Sequence, residues 1–131
     1  MNAALEFHDS YVQIIQPDNA GGVSLHFSEA YIHKSVGQPG VDSGTGHVQA
    51  ARVSFSEARL VGDLAECVGA LSDGIILVNG HSLSLLPVPY SFRGLVAANF
   101  TFQNGASVKI DAITVECCVF GACEFVETFH S

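Results

Sequence analysis

Four stretches of the chain share one spacing of apolar positions: an apolar residue, a second two on, a small or apolar residue three later, and another apolar residue two later. Leu5, Phe7, Ser10 and Val12 fit it, as do Leu25, Phe27, Ala30 and Ile32; so do Val53, Phe55, Ala58 and Leu60, and then Val108, Ile110, Ile113 and Val115. The word Phe-Ser-Glu-Ala recurs within them, at 27–30 and 55–58. Side chains alternate between the two faces of a strand, so even steps keep a face and an odd step changes it. Each copy therefore predicts a β-strand whose inward face slips by one residue midway, which is what a β-bulge does. Bulged strands bend, and four of them predict sheets that coil and turn corners.

Turn signals separate these strands. Pro17-Asp18-Asn19-Ala20-Gly21-Gly22 joins the first two as an antiparallel hairpin, which lays Leu25 and Phe27 against the apolar face of the first strand. Residues 75–78 meet 82–86 across Asn79-Gly80-His81, and 94–102 meet 106–115 across Asn104-Gly105. Pro87 and Pro89 cannot donate to a ladder, so 86–90 belongs at an edge or crosses over. Residues 117–129 supply a last strand, interrupted at Gly121. One segment, 61–71, has helical spacing through Leu64, Val68 and Leu71, with Gly62 and Gly69 working against a helix.

The pattern predicts an all-β fold: a single-domain antiparallel β-sandwich or barrel of about 8–10 strands over residues 1–131, with at most one short helix near 61–71. Between the second and third strands, residues 35–46 hold four glycines and a proline and read as an exposed Gly-rich loop. It is the longest loop, and loops of that length are uncommon without a function.

Composition narrows the partners. Apolar residues make up 48% of the chain and charged ones 14%, far from a disordered composition. Thirteen acidic residues against five basic ones give a formal charge of −8, and no cluster of Lys or Arg reverses it locally. Nucleic acid and anionic membrane, both bound first through basic surface, are excluded as expected partners, whereas a basic protein is favoured. The first residues carry no basic, then apolar, leader pattern, and no apolar run approaches the roughly 20 residues that span a bilayer. A cytoplasmic location is expected. Cys67, Cys117, Cys118 and Cys123 then read as reduced thiols, mostly buried small hydrophobes.

Three sets of residues carry candidate chemistry. His8 and His26 lie by alternation on the faces opposite Leu5, Phe7, Leu25 and Phe27, and in a hairpin of the first two strands they become neighbours; with His33 and Asp9 they offer imidazole and carboxylate ligands for a divalent metal. No His-x-His or His-Glu-x-x-His pair is present. Second, Val41-Asp42-Ser43-Gly44-Thr45 in the long loop resembles the Asp-Thr/Ser-Gly signature of aspartic proteases, whose retroviral members are small all-β subunits that each give one Asp to a dimer. The resemblance implies Asp42 as a catalytic carboxylate, with Ser43 and Thr45 beside it; the family sets this motif at the end of an apolar strand, where this chain has Gln38-Pro39-Gly40. Third, the outward faces bear Tyr11 and Tyr31 rather than charges, which predicts surface covered by a subunit or partner.

No P-loop, dinucleotide fingerprint or Gly-x-Ser-x-Gly elbow is present. The expected function is a small all-β binding module that forms a homo-oligomer or holds a protein partner, with no cofactor. The alternatives are a metal- or small-ligand-binding barrel using the histidines, and a dimeric aspartic hydrolase at Asp42.

Overall fold

The strands of the computed structural model, which describes residues 1–130, are β1 (Asn2–Pro17), β2 (Val23–Ser35), β3 (Gly44–Ser56), β4 (Arg59–Val61), β5 (Gly69–Val78), β6 (His81–Leu83), β7 (Leu85–Pro87), β8 (Tyr90–Phe102) and β9 (Ser107–Phe129). All pair antiparallel in one sheet. The order β1, β2, β3, β9, β8, β5 closes on itself where Tyr11 and Val12 of β1 meet Ala70 and Gly69 of β5. The expected coiling sheet is thus a closed barrel. Short β6 and β7 extend β5 and β1 at the other end of that seam, and β4 continues the row of β3 beside β9.

The slips in parity are what bend the strands into this ring. Leu5, Phe7, Ser10 and Val12 are all buried, as are Leu25, Phe27, Ala30 and Ile32. Along β1 the register moves between Glu6 and Tyr11, which pair with Tyr31 and Glu29, so five steps on one strand match two on the other. Asp9 stands in the left-handed region at φ 72°, and Glu57 does so at φ 46°. The words Phe7-His8-Asp9-Ser10, Phe27-Ser28-Glu29-Ala30 and Phe55-Ser56-Glu57-Ala58 share an aromatic, an acid in third place and a small residue in fourth. Ser10 is fully buried yet satisfied: its hydroxyl donates to the Glu6 carbonyl at 2.6 Å and accepts the Tyr31 N–H at 2.9 Å, across the gap the bulge opens. In the fourth copy the inward residue is Ala112 instead of Ile113: the slip falls between Ala112 and Val115, beside a register shift in which β8 carries an extra residue between Arg93 and Val96.

Phenylalanines fill the barrel. The Phe7 ring meets Phe100 edge-on at 5.1 Å and lies 6.5 Å from Phe27. Gly74 makes room for it, since a Cβ there would stand 2.7 Å from the Cβ of Phe7. The three hairpin turns form where the turn residues predict them; that of β5 and β6 is a two-residue Asn79-Gly80 turn with both φ positive, the hand that suits twisted strands, so His81 already belongs to β6. The expected partner 82–86 stops at Leu83, with Leu85 and Leu86 pairing with β1 instead.

Two expectations change. Segment 61–71 is not a helix: Glu66 N–H bonds to Asp63 C=O at 3.1 Å and Cys67 N–H to Leu64 C=O at 3.2 Å, a single tight turn before β5 begins at Gly69. Its helical spacing arose because a turn that buries Cys67 is followed at once by a strand that buries Leu71. The long loop is also shorter than the glycines suggested. β2 runs to Ser35 and β3 starts at Gly44, leaving 36–43 as the irregular part.

β8 begins at Tyr90, opposite Cys117 of β9, and the residue before it is Pro89. β9 runs on to Phe129 with only β3 beside it. Residues 118–129 therefore present a sheet edge that has no strand partner among the described residues.

Candidate functional site

The β1 bulge gathers polar groups on the outer face of the barrel. In a regular strand His8 and Asp9 point to opposite faces; the left-handed turn at Asp9 brings its carboxylate to 3.2 Å from Nδ1 of His8. Glu6, two residues before His8 and on its face, completes a set whose ligand atoms lie within 4.8 Å of one another. Oε1 of Glu6 also lies 3.3 Å from Nε2 of His33, which is buried beneath the chain. Glu6, His8 and His33 line one wall of a hollow of about 330 Å³ whose other side includes Asp73, Ser84 and Leu85. No Lys or Arg lines it.

The end of β9 holds this region in place. The His33 ring lies between Tyr31, at 5.1 Å, and Phe129, at 5.2 Å, and the Tyr31 hydroxyl donates to Glu127. Gly46 allows that bond, because a Cβ at Gly46 would collide with the Tyr31 hydroxyl group. Burial first, then the bond and charge of Glu127, then the charges of Glu6 and Asp9, hold the Tyr31 phenol well above the usual tyrosine range. It stays protonated, and the field at this corner is negative.

The expected residues are distributed as follows. His8 and His33 border the same hollow, and Asp9 joins them through His8. His26 does not join them: it pairs with Ile14 and Arg52 and lines a separate hollow with Arg52, Ser24 and Ser54, beside a cation. Asp42 lies exposed in the 36–43 loop, where Oδ2 accepts the Gln38 N–H at 2.6 Å and so closes the turn. The Ser43 carbonyl accepts the Ser35 hydroxyl at 2.8 Å, and Thr45 Oγ1 bonds Nε2 of His47 at 2.8 Å, so Asp42, Ser43 and Thr45 each serve the connection from β2 to β3. Tyr11 is 44% exposed, as expected of a surface ring. Tyr31 is instead buried, because the chain's own β9 covers it.

Glu6, Asp73 and Glu127 were not singled out from the sequence. Strand alternation from His8 finds Glu6; Asp73 and Glu127 arrive from β5 and β9 and leave no local signal.

The second feature is the free edge. Phe120, Phe125 and Val126 are exposed there at 47%, 61% and 47%, and residues 118–129 contain no Lys, Arg or Pro. Phe125 pairs with His47 and Phe120 with Ala50, so the two rings lie on opposite faces of the sheet. The register of this edge against β3 shifts twice, between Phe125 and Glu127 and between Phe120 and Glu124; the second shift surrounds Gly121, at φ 76°, whose carbonyl accepts the Gln49 side-chain amide at 3.1 Å. All four cysteines are free; Cys67 and Cys117 are buried, while on this edge Cys118 is partly buried and Cys123 exposed. No helix among the described residues is long and apolar enough to cross a membrane. No family model matches the chain, and neither the curated proteins nor the solved structures offer a match to it.

Proposed function

We propose that this protein is a partner-binding module that takes an extended segment of another protein as an added strand along the free edge of β9. The observation that carries this reading is the unprotected edge at residues 118–129. Soluble β proteins blunt such edges with Lys, Pro, charges or very short strands, since unpaired N–H and C=O groups beside apolar side chains template further pairing. This edge is about 12 residues, or roughly 40 Å; it has no Lys or Pro, its charges are Glu124 and Glu127, and its register against β3 shifts twice, around Gly121 and between Phe125 and Glu127. An incoming strand would take the row that β8 leaves at Tyr90, with main-chain bonds for affinity and alternate side chains for specificity.

Charge selects the occupant. The edge carries Glu124 and Glu127 on a chain of formal charge −8. A segment alternating apolar residues with Lys or Arg would lay its apolar set on the face of Phe125 and its basic set on the other, where Glu124 and Glu127 stand opposite Val48 and Gly46. A second copy of β9 fits less well: with no Lys or Arg between 118 and 129, every antiparallel self-pairing leaves both glutamates without a lysine or arginine opposite, and like charges face to face destabilise a sheet. A reducing, cytosolic setting suits the exposed thiols of such an edge.

The test is fluorescence anisotropy with labelled ten-residue peptides that alternate Val with Lys, Ser or Glu, together with amide hydrogen exchange. Binding at least tenfold tighter for the Lys peptide than for the Glu peptide is expected, with slowed exchange in 118–129 and loss of both in a Phe120→Lys, Phe125→Lys variant. Equal affinity for all three peptides, or binding unchanged in the variant, would refute strand addition at this edge. Light scattering that shows a dimer broken by the same variant would replace the basic partner with a second copy.

A further inference from the structure

We infer that the β1 bulge is a binding site for a divalent transition-metal ion of the zinc class, with Glu6, His8 and Asp9 as ligands and His33 as the residue that positions Glu6. This rests on the barrel's outer hollow and is independent of the β9 edge.

The donor set selects the ion. Two carboxylates are hard ligands that many divalent ions accept, but the imidazole is a borderline nitrogen donor, which suits Zn²⁺ and its neighbours better than Ca²⁺ or Mg²⁺, ions that prefer all-oxygen shells. Three protein ligands with solvent on the remaining side match the open kind of zinc site. In a tetrahedral site with bonds of about 2.1 Å, ligand atoms stand about 3.4 Å apart. The set here lies within 4.8 Å, and the His8 and Asp9 side chains are 60% and 59% exposed, so small rotations close the difference. Without an ion, His8 and Asp9 satisfy each other at 3.2 Å. With one, both turn toward Glu6.

The surroundings support the same assignment. Metal-ligating groups are commonly oriented by a second hydrogen bond. His33 supplies one to Glu6, and its own ring is fixed between Tyr31 and Phe129. Asp73, across the hollow, adds a negative charge that attracts a cation without joining the three ligands. Asp9, the residue in the left-handed region, is the one whose carboxylate that conformation swings into the set. Neither His26, beside Arg52, nor the cysteines of the β9 edge belong to it.

Titration calorimetry of the untagged protein with ZnCl₂, and visible spectra with Co²⁺, test this. One ion per chain is expected, with affinity reduced at least tenfold in His8→Ala and in Asp9→Asn. Both positions are exposed, and Asn tolerates the left-handed conformation at position 9, so the fold is retained, as circular dichroism would verify. His33→Gln should weaken binding less than either, and His26→Ala should bind as the wild type does. Uptake below one ion per chain, or equal affinity in His8→Ala and Asp9→Asn, would overturn the proposal. So would a Co²⁺ spectrum with thiolate charge-transfer bands, which would move the ion to Cys118 and Cys123.

Discussion

Replacing Ser10 with Ala removes one oxygen atom from the middle of the β1 bulge. That oxygen donates to the Glu6 carbonyl at 2.6 Å and accepts the Tyr31 N–H at 2.9 Å, in a place with no access to water. Each bond contributes about 1 kcal/mol net, and a buried N–H left without an acceptor costs about 1–3 kcal/mol, so the substitution should cost about 2–4 kcal/mol. In a chain of this length that lowers Tm by roughly 10 °C. Ser24 gives the comparison: its hydroxyl bonds that of Ser54 at 2.9 Å in a partly buried position, and Ser24→Ala should cost less than about 1 kcal/mol. Urea unfolding followed by far-ultraviolet circular dichroism measures both, and an unchanged m-value would show that the two states keep their extent. Hydrogen exchange at the Tyr31 amide supplies a local readout and should speed up in Ser10→Ala. If Ser10 merely filled a small space, Ala would fill it as well and stability would change by less than about 0.5 kcal/mol. That outcome, with the Tyr31 amide still protected, would refute the account of how the bulge is held.

Two further outcomes follow from burial. Burial first, then the neighbouring Cys118, pushes the Cys117 thiol up to about 12, and burial with the charges of Asp63 and Glu66 raises that of Cys67. Ellman's reagent should therefore label Cys123 at once and Cys67 and Cys117 only in denaturant; four equally fast thiols would contradict the closed barrel. His47 lies against Phe125 with Nδ1 buried and unpartnered among the described residues, and burial, then the Lys34 ammonium, lowers its pKa. The unfolded chain takes up that proton more readily, so the contribution of His47 is complete above the ordinary histidine pKa of about 6.5 and is lost as the pH falls below it. The stability gap between wild type and His47→Gln, measured in urea, should be flat above pH ~7 and change below pH ~6 in favour of the variant; a gap constant over both ranges would show that His47 titrates normally.

Much of the architecture is written in local spacing. A bulge changes the parity of a strand, and parity is visible in the order of Phe7, Ser10 and Val12 or of Phe27, Ala30 and Ile32. The Asn79-Gly80 and Asn104-Gly105 turns announce their hairpins through residues that accept positive φ. Closure of the ring is not written there, because Tyr11 and Val12 meet Ala70 and Gly69 across nearly half the chain and no periodicity records such a pairing. Leu64, Val68 and Leu71 mislead for a related reason: spacing does not distinguish one helix from a turn that runs into a strand. In the candidate metal site, His8 was legible as an outward group, with Asp9 and His33 as a carboxylate and an imidazole on the same pair of strands. The expected pairing of His8 with His26 failed because β1 and β2 cross their registers through the bulge, which puts His26 opposite Ile14. Tyr31 was read as outward surface that a subunit or partner covers, because nothing in β2 shows that Glu127 and Phe129, nearly a hundred residues later, cover it instead.

β9 stands between β3 and β8 in the ring, and it is the last strand in the chain. A ribosome therefore delivers the meander of β1, β2 and β3 and the pair of β5 and β8 before it delivers the strand that closes the ring between β3 and β8. Until residues 107–129 emerge, β3 and β8 each keep a bare edge and the phenylalanines between them stay open to water. Pairings this distant along a chain are slow to form, on the order of milliseconds to seconds. The nascent protein thus passes through a stage as an open sheet with two sticky edges, and its yield in a cell depends on how well that interval is guarded by chaperones as well as on the stability of the finished barrel.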